Sequence, residues 1–289
     1  MIKWPDRLIQ ELARRKCVVF LGAGVSRQSV NAVGERPPLW AQFLSMAMIR
    51  CEGSHTEIKR HLKRNDFLTA CQLIKSRLGD HDWSDLLEEV FSKPNYLSAE
   101  IHDSIFGLDS PIVATTNIDQ IYDRFLAAKY AGVAISKCYN DDHLGRHIKG
   151  DPSSRLVIKV HGSVESPAHT VFTREQYAEA RSKHTPFYEV LSALILTQTF
   201  LFLGYGLADP DMQLLLENNA RLFKSPTPHF FVTSDKVSGD LAAMYERNYS
   251  IKFIHYSDRD EHAELSSSLN ELVSDVVASR SKLADKQVW

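Results

Sequence analysis

CVVFLGAGVS, residues 17–26, decides the fold. A β-branched and aromatic run stops abruptly at Gly22-Ala23-Gly24, which is how a buried parallel strand hands over to a tight turn and a helix start. Three later segments repeat the pattern: IVATTNID at 112–119, VIKVHGS at 157–163 and FLFLGYGLADPD at 200–211. Each reads as a strand that delivers small or polar residues to one edge. Open α/β sheets bind their ligands at that carboxyl edge.

Working outward, residues 5–15 suit a short amphipathic helix, with Leu8, Ile9 and Leu12 on one side and Pro5 in the first turn. From 39 to 108 the pattern is almost wholly helical, broken at Gly53, Gly79 and Pro94, so this stretch is expected to be an inserted helical module able to cover the site as a lid. After the second strand a helix is expected over 118–129, and a weaker strand signal lies near 133–135. Helices over 174–181 and 186–198 precede the strongest strand. Helix 211–223, strand 229–233, helix 240–249, strand 251–256 and a terminal helix from Glu261 complete the chain. This alternation predicts a doubly wound, Rossmann-like parallel α/β sheet, one domain over 1–289 that contains the 39–108 insertion.

Composition sets wider bounds. The 289 residues are 44% hydrophobic and 24% charged, enough for a sizeable core. Lys and Arg number 34 against 36 Asp and Glu, a net charge of -2, so nothing in the global charge favours direct nucleic-acid binding. No stretch approaches the roughly 20 apolar residues of a membrane span, and MIKWPDRLIQELARRK lacks the apolar centre of a signal peptide. A cytoplasmic protein without a membrane partner is the expectation. Cys17, Cys51, Cys71 and Cys138 are scattered without a Cys-x-x-Cys pair, so reduced thiols and no zinc or other metal are expected.

The candidate chemistry begins at Gly22, Ala23, Gly24 and Ser26. A Gly-x-Gly turn at a helix start offers backbone N–H groups and the positive end of a helix dipole to a pyrophosphate, with no side chain in the way. Arg27 stands where the third glycine of the Rossmann fingerprint would fall, and Glu35 lies too near the loop to serve as the ribose-binding acid of a dehydrogenase. Arg27 is itself a candidate for an extra phosphate. Asn117 has two readings, a cap for the following helix or a site residue, and Asp119 either favours that helix's N-terminus or joins Asn117. His161, ahead of Gly162, is either a turn histidine or a proton acceptor.

Taken together, GAGVS, TTNID, VHGS and GYGLADPD, in that order, resemble the sirtuin superfamily, and most of all the sirtuin-like domains of bacterial anti-phage NAD hydrolases. The resemblance implies that Gly22, Ala23, Gly24 and Ser26 hold the NAD phosphates and ribose. It places Thr116, Asn117 and Asp119 around the nicotinamide and its ribose, with Asn117, Asp119 and His161 as the catalytic set. Gly204, Tyr205 and Gly206 match the loop that faces the adenosine. Deacylating sirtuins follow the first loop with Gly-Ile-Pro-Asp-Phe-Arg, carry a zinc ribbon after the His-Gly pair and commonly have Gln at the position of Thr116. This chain continues with Arg27-Gln28-Ser29-Val30 and has no cysteine between His161 and Phe172. NAD as substrate and NAD+ glycohydrolase activity in anti-phage defence are therefore expected ahead of an NAD-dependent deacylase or a noncatalytic NAD or ADP-ribose sensor.

In that family, stand-alone domains of this size pair with a protein such as a HerA-like ATPase or a short Argonaute, and a homo-oligomer is expected as well. Leu265, Leu269, Leu272, Val276 and Val277 fall at helical spacing in the terminal segment. They form either a partner surface or the inner face of a helix packed on its own sheet.

Overall fold

The computed structural model describes residues 1–130, 132, 134–141, 144–148, 154–223 and 227–286. Seven strands form one sheet: β1 Cys17–Leu21, β2 Ile112–Thr115, β3 Ala134–Cys138, β4 Arg155–Lys159, β5 Thr199–Leu203, β6 His229–Thr233 and β7 Ile251–His255. Their order is β3-β4-β2-β1-β5-β6-β7, and every pairing is parallel. From β1 the chain passes to β2, on to β3 at the edge and back to β4 between them, then crosses to β5 on the other side of β1. The order therefore reverses between β1 and β5, where doubly wound sheets open a ligand crevice. Of the weak strand signal near 133–135, Val133 lies outside the described residues, and β3 runs further than the signal suggested.

The strands are continuous apolar runs because helices cover both faces. β1, β2, β5 and β6 are buried throughout. Cys17, Val19 and Leu21 point into one core while Val18 and Phe20 point into the other, the two-residue alternation of a strand used on both sides. The first core is closed by α1 Asp6–Ala13 and, later in the chain, by helices that begin at Glu100, Ile121 and Arg259. α2, Ala23–Ser26, is a single turn, so the helix dipole expected after the glycine loop is correspondingly short. α3 Trp40–Ile49, α4 Thr56–Lys63 and α5 Phe67–Phe91 build a third core of their own around Phe43, Ile74, Trp83 and Leu87. α5 breaks at Gly79, whose φ of 77° lies in the left-handed region.

α6 Glu100–Gly107 leads back to β2, and α7 Ile121–Lys129 follows it, starting three residues later than expected. α8 Leu144–Ile148 precedes β4. The second core is closed by α9 Arg174–Lys183, α10 Thr185–Thr197 and α11 Pro210–Leu222. α9 starts on a capping box in which Thr173 accepts from Gln176 N–H, and α11 starts on Asp209 with Pro210 in its first turn. α12 Gly239–Tyr249 precedes β7.

The terminal α13, Arg259–Asp285, settles the open reading of its apolar stripe. Leu265, Leu269, Leu272 and Val276 are buried in the first core, and of the five only Val277 is exposed. The stripe is thus an inner face and not a partner surface. It is buried because α13 lies across α1 and α6, where Trp4 Nε1 donates to Ser268 O (2.8 Å) and Ser104 Oγ donates to Asn270 Oδ1 (2.6 Å).

Candidate active site

Register alone brings the four motifs together. Leu21 is level with Thr115 and with Leu203, and Thr115 is level with Lys159. The residues that follow these positions leave four adjacent strands on the same edge: Gly22, Thr116, Val160 and Gly204. Asn117 and His161 each lie two residues past a paired position on neighbouring strands.

The glycines are required for a reason the sequence did not disclose. A Cβ on Gly22 would lie 2.4 Å from Gly204 O, and one on Gly204, where φ is +59°, would lie 2.5 Å from Val25 N. Gly24 would meet Gly204 Cα at 2.9 Å. The β1 and β5 loops are packed backbone to backbone. Gly24 N–H donates to Gly204 O (2.8 Å) and Gly22 N–H to Leu203 O (3.0 Å). The absent side chains are therefore what lets the two loops approach this closely. Tyr205 turns inward as well, stacking on Phe202 at 5.6 Å and meeting Phe20 edge-on at 4.9 Å. Gly206 is exposed and Thr116 half-buried.

Asn117, Ser26 and Asp119 form one hydrogen-bonded cluster. Asn117 Nδ2 donates to Gly22 O and to Ser26 Oγ, both at 2.9 Å, and Ser26 Oγ donates to Asp119 Oδ2 at 2.7 Å. Asn117 does not cap α7. The N-cap position of that helix is Gln120, which makes no side-chain cap bond, while Asp119 Oδ1, one residue earlier, accepts from Ile121 N–H (3.0 Å); the Asn117 amide reaches across to the β1 loop instead. Below the cluster, Lys159, with its side chain only 3% exposed, donates to Asp119 O and pairs with Asp123 at 2.9 Å. A cavity of about 10 Å³, the size of a single water, is enclosed by Ser26, Thr115, Asn117, Asp119, His102 and Lys159 among others. A larger cavity of about 210 Å³, between α7 and β3, is lined by none of the candidate site residues.

His161 belongs to a second cluster. Its Nε2 lies 2.7 Å from Asp209 Oδ2, and Tyr177 O–H donates to the same oxygen at 2.7 Å. Burial pushes the Asp209 carboxyl up, but the facing His161 charge and the donors His161, Met212 N–H and Tyr177 outweigh it and hold the carboxyl below the ordinary range. Burial, with Asp209 adding to it, pushes the Tyr177 hydroxyl well up, so it stays protonated and donates. Next along, burial raises Asp211 despite its contact with Arg181. Sequence reasoning missed Asp209 and Tyr177. The Asp-Pro pair that opens α11 was a visible cap signal, but nothing in the sequence linked it to a histidine 48 residues earlier in the chain.

Two further placements bear on the site. Arg27 Nη1 donates to Pro37 O and Gln42 Oε1, both at 3.0 Å. Phe172 stacks on Trp40 of α3 at 5.1 Å and meets Trp83 of α5 edge-on at 5.6 Å. Val171 N–H, one residue before, donates to His161 O (3.1 Å), so α3 and α5 grip the segment that carries His161.

Against known proteins, residues 111–254 match the SIR2-like domain family. NAD(+) hydrolase ThsA of Acinetobacter baumannii (strain 532279) is 26% identical over 215 residues, 73% of this chain and 40% of that protein. Defense-associated sirtuin 2 of Bacillus subtilis is 25% identical over 248 residues, 83% of this chain and 23% of that protein. NAD(+) hydrolase ThsA of Enterococcus faecium is 25% identical over 232 residues, 78% and 45% of the two chains. This chain therefore spans less than half the length of these curated relatives. A parallel sheet with a reversal between β1 and β5, four motifs on its carboxyl edge and the match over 111–254 lead to one conclusion: the chain is similar to the SIR2-like family and to sirtuin-type NAD hydrolases.

Proposed function

We propose that this chain is an NAD+ glycohydrolase that cleaves the nicotinamide–ribose bond to give nicotinamide and ADP-ribose, and that it depletes NAD in anti-phage defence. The observation that carries the reading is the assembly on one sheet edge of the Ser26–Asn117–Asp119 cluster and His161. Relatives named NAD(+) hydrolase support it. Nicotinamide leaves from a positively charged pyridinium, so the reaction needs little leaving-group protonation. The protein must chiefly hold the ribose, guide water to its anomeric carbon and accept the proton that this water loses. Asn117 and Ser26 are suited to hold a ribose hydroxyl or the water, Asp119 to steady positive charge on the ribose, and His161 to take the proton.

In this reading Gly22, Ala23, Gly24 and Thr116 line the nucleotide path, and Gly204, Tyr205 and Gly206 its adenosine side. The chain acts as one domain over 1–289 in which the 39–108 insertion serves as a lid, an arrangement favoured by its stacking on Phe172. It works in the cytoplasm as a homo-oligomer held in check by a regulatory protein such as a HerA-like ATPase or a short Argonaute.

Incubating purified protein with NAD, alone and with a candidate partner, and following nicotinamide and ADP-ribose by chromatography tests the reading. Release of nicotinamide without an acylated peptide, lost in Asn117→Ala and His161→Ala, is expected. Binding without cleavage under every condition would replace it with the sensor reading, and release only with an acylated peptide would replace it with the deacylase.

A further inference from the structure

The buried cluster around His161 does more than hold a ring in place. Asp209 Oδ2 receives two hydrogen bonds at 2.7 Å, one on the His161 Nε2 side and one from the Tyr177 hydroxyl, while its Oδ1 accepts from Met212 N–H at 2.9 Å. Tyr177 O also lies 3.2 Å from His161 Nε2, with the two rings edge to face at 5.2 Å. The Tyr177 proton is committed to Asp209, so its oxygen is free only to accept. Nε2 thus faces two acceptors, a carboxylate and a phenol oxygen, and only a proton-bearing Nε2 is compatible with that pair. A lone pair at Nε2 would point at a carboxylate 2.7 Å away. The proton of the neutral ring is therefore on Nε2 and the lone pair on Nδ1.

We propose that Asp209 and Tyr177 are positioning residues that fix the tautomer and orientation of His161, so that Nδ1 is the atom that accepts the proton in catalysis. The assignment rests on the hydrolase reading for its catalytic consequence but not for its tautomer. Each partner sits on a different helix: Asp209 is the cap of α11 and Tyr177 lies within α9. Because α9 and α11 pack on the same face of the sheet in the second core, displacement of either helix would reach the His161 ring directly.

Asp209→Asn and Tyr177→Phe test the assignment. Asn caps helices about as well as Asp, so α11 keeps its start while the charge is removed. An Asn side chain can present its NH2 to Nε2 and stabilise the opposite tautomer. The expected result is a fall in kcat for nicotinamide release of about 100-fold or more, with KM for NAD within a few-fold of wild type. Ring 15N chemical shifts of His161, assigned by their loss in His161→Gln, are expected to report Nε2–H in wild type and a shift toward Nδ1–H in Asp209→Asn. Tyr177→Phe leaves the α11 cap untouched, is expected to lower kcat about 10-fold, and carries the test if Asp209→Asn does not fold.

Unchanged kcat and an unchanged tautomer in both variants would overturn the proposal while leaving the hydrolase reading in place. A wild-type protein that never cleaves NAD would overturn the hydrolase reading, and the 15N shifts alone would then decide the tautomer. An Nδ1–H tautomer in wild type would overturn the proposal outright.

Discussion

Gly204 shows how much of this site is backbone. Its φ of +59° is open to glycine at no cost, and its missing Cβ is the space that lets Val25 N approach. Gly204→Ala is expected to lower stability by at least about 2 kcal/mol and the melting temperature by several degrees. A melting curve that superimposes on wild type would contradict the interlocked loops. Lys159 and Asp123 make the complementary case for a buried charge pair. Lys159→Met strands the Asp123 carboxylate and removes the donor to Asp119 O, with an expected loss of about 3 kcal/mol. Urea unfolding of the double variant Lys159→Met with Asp123→Leu should recover part of that loss, because the unpaired charge is then gone.

At the scale of the element, α13 is the instructive case. Its apolar spacing was read correctly, but the same spacing serves a partner surface and an inner face equally well. Leu269, fully buried between α1, α6 and the sheet, is expected to cost about 2–5 kcal/mol as Leu269→Ala, measured by denaturant midpoint, with no change of assembly size by light scattering. A change of oligomeric state with stability intact would reverse the assignment of that face. The glycine loop teaches the same lesson in reverse. A Gly-x-Gly at a strand end promised a helix with a full dipole, and the chain provides one turn before residues 27–39 lead into α3. The four strands that carry the motifs were all legible, since a buried parallel strand declares itself by an unbroken apolar run. β3 was only half legible: it is an edge strand with exposed residues, and its run is correspondingly mixed.

For the molecule as a whole, stability should depend on pH through its buried histidines. Burial pushes His229 down to about 4 from 6.5, and its Nδ1 is already occupied accepting Phe200 N–H at 3.1 Å. Above pH 6.5 the ring is neutral whether the chain is folded or not and makes no difference. Between pH 6.5 and 4 the unfolded chain binds a proton that the folded chain refuses, so stability falls as pH drops, by up to about 3 kcal/mol. Burial of His102 acts in the same direction. Urea midpoints measured between pH 7 and pH 4 should decline in wild type and decline less in His229→Gln. Equal slopes in the two proteins would remove His229 as the cause.

The sequence by itself determined that the sheet is parallel and doubly wound, the order of the motifs along the chain and the edge on which they emerge. Strand periodicity and abrupt polar endings are local properties, and parallel pairing then brings equivalent strand ends level. Only the tertiary structure decided what those residues touch. It turned Asn117 away from the start of α7 and onto Ser26 and Gly22. It filled the space beside Gly22 with the backbone of Gly204, and it set Asp209 and Tyr177 against His161. These partners are far apart in the chain and come from different helices and loops. Their meeting depends on how helices dock across the sheet, and no local pattern of residues encodes that distance.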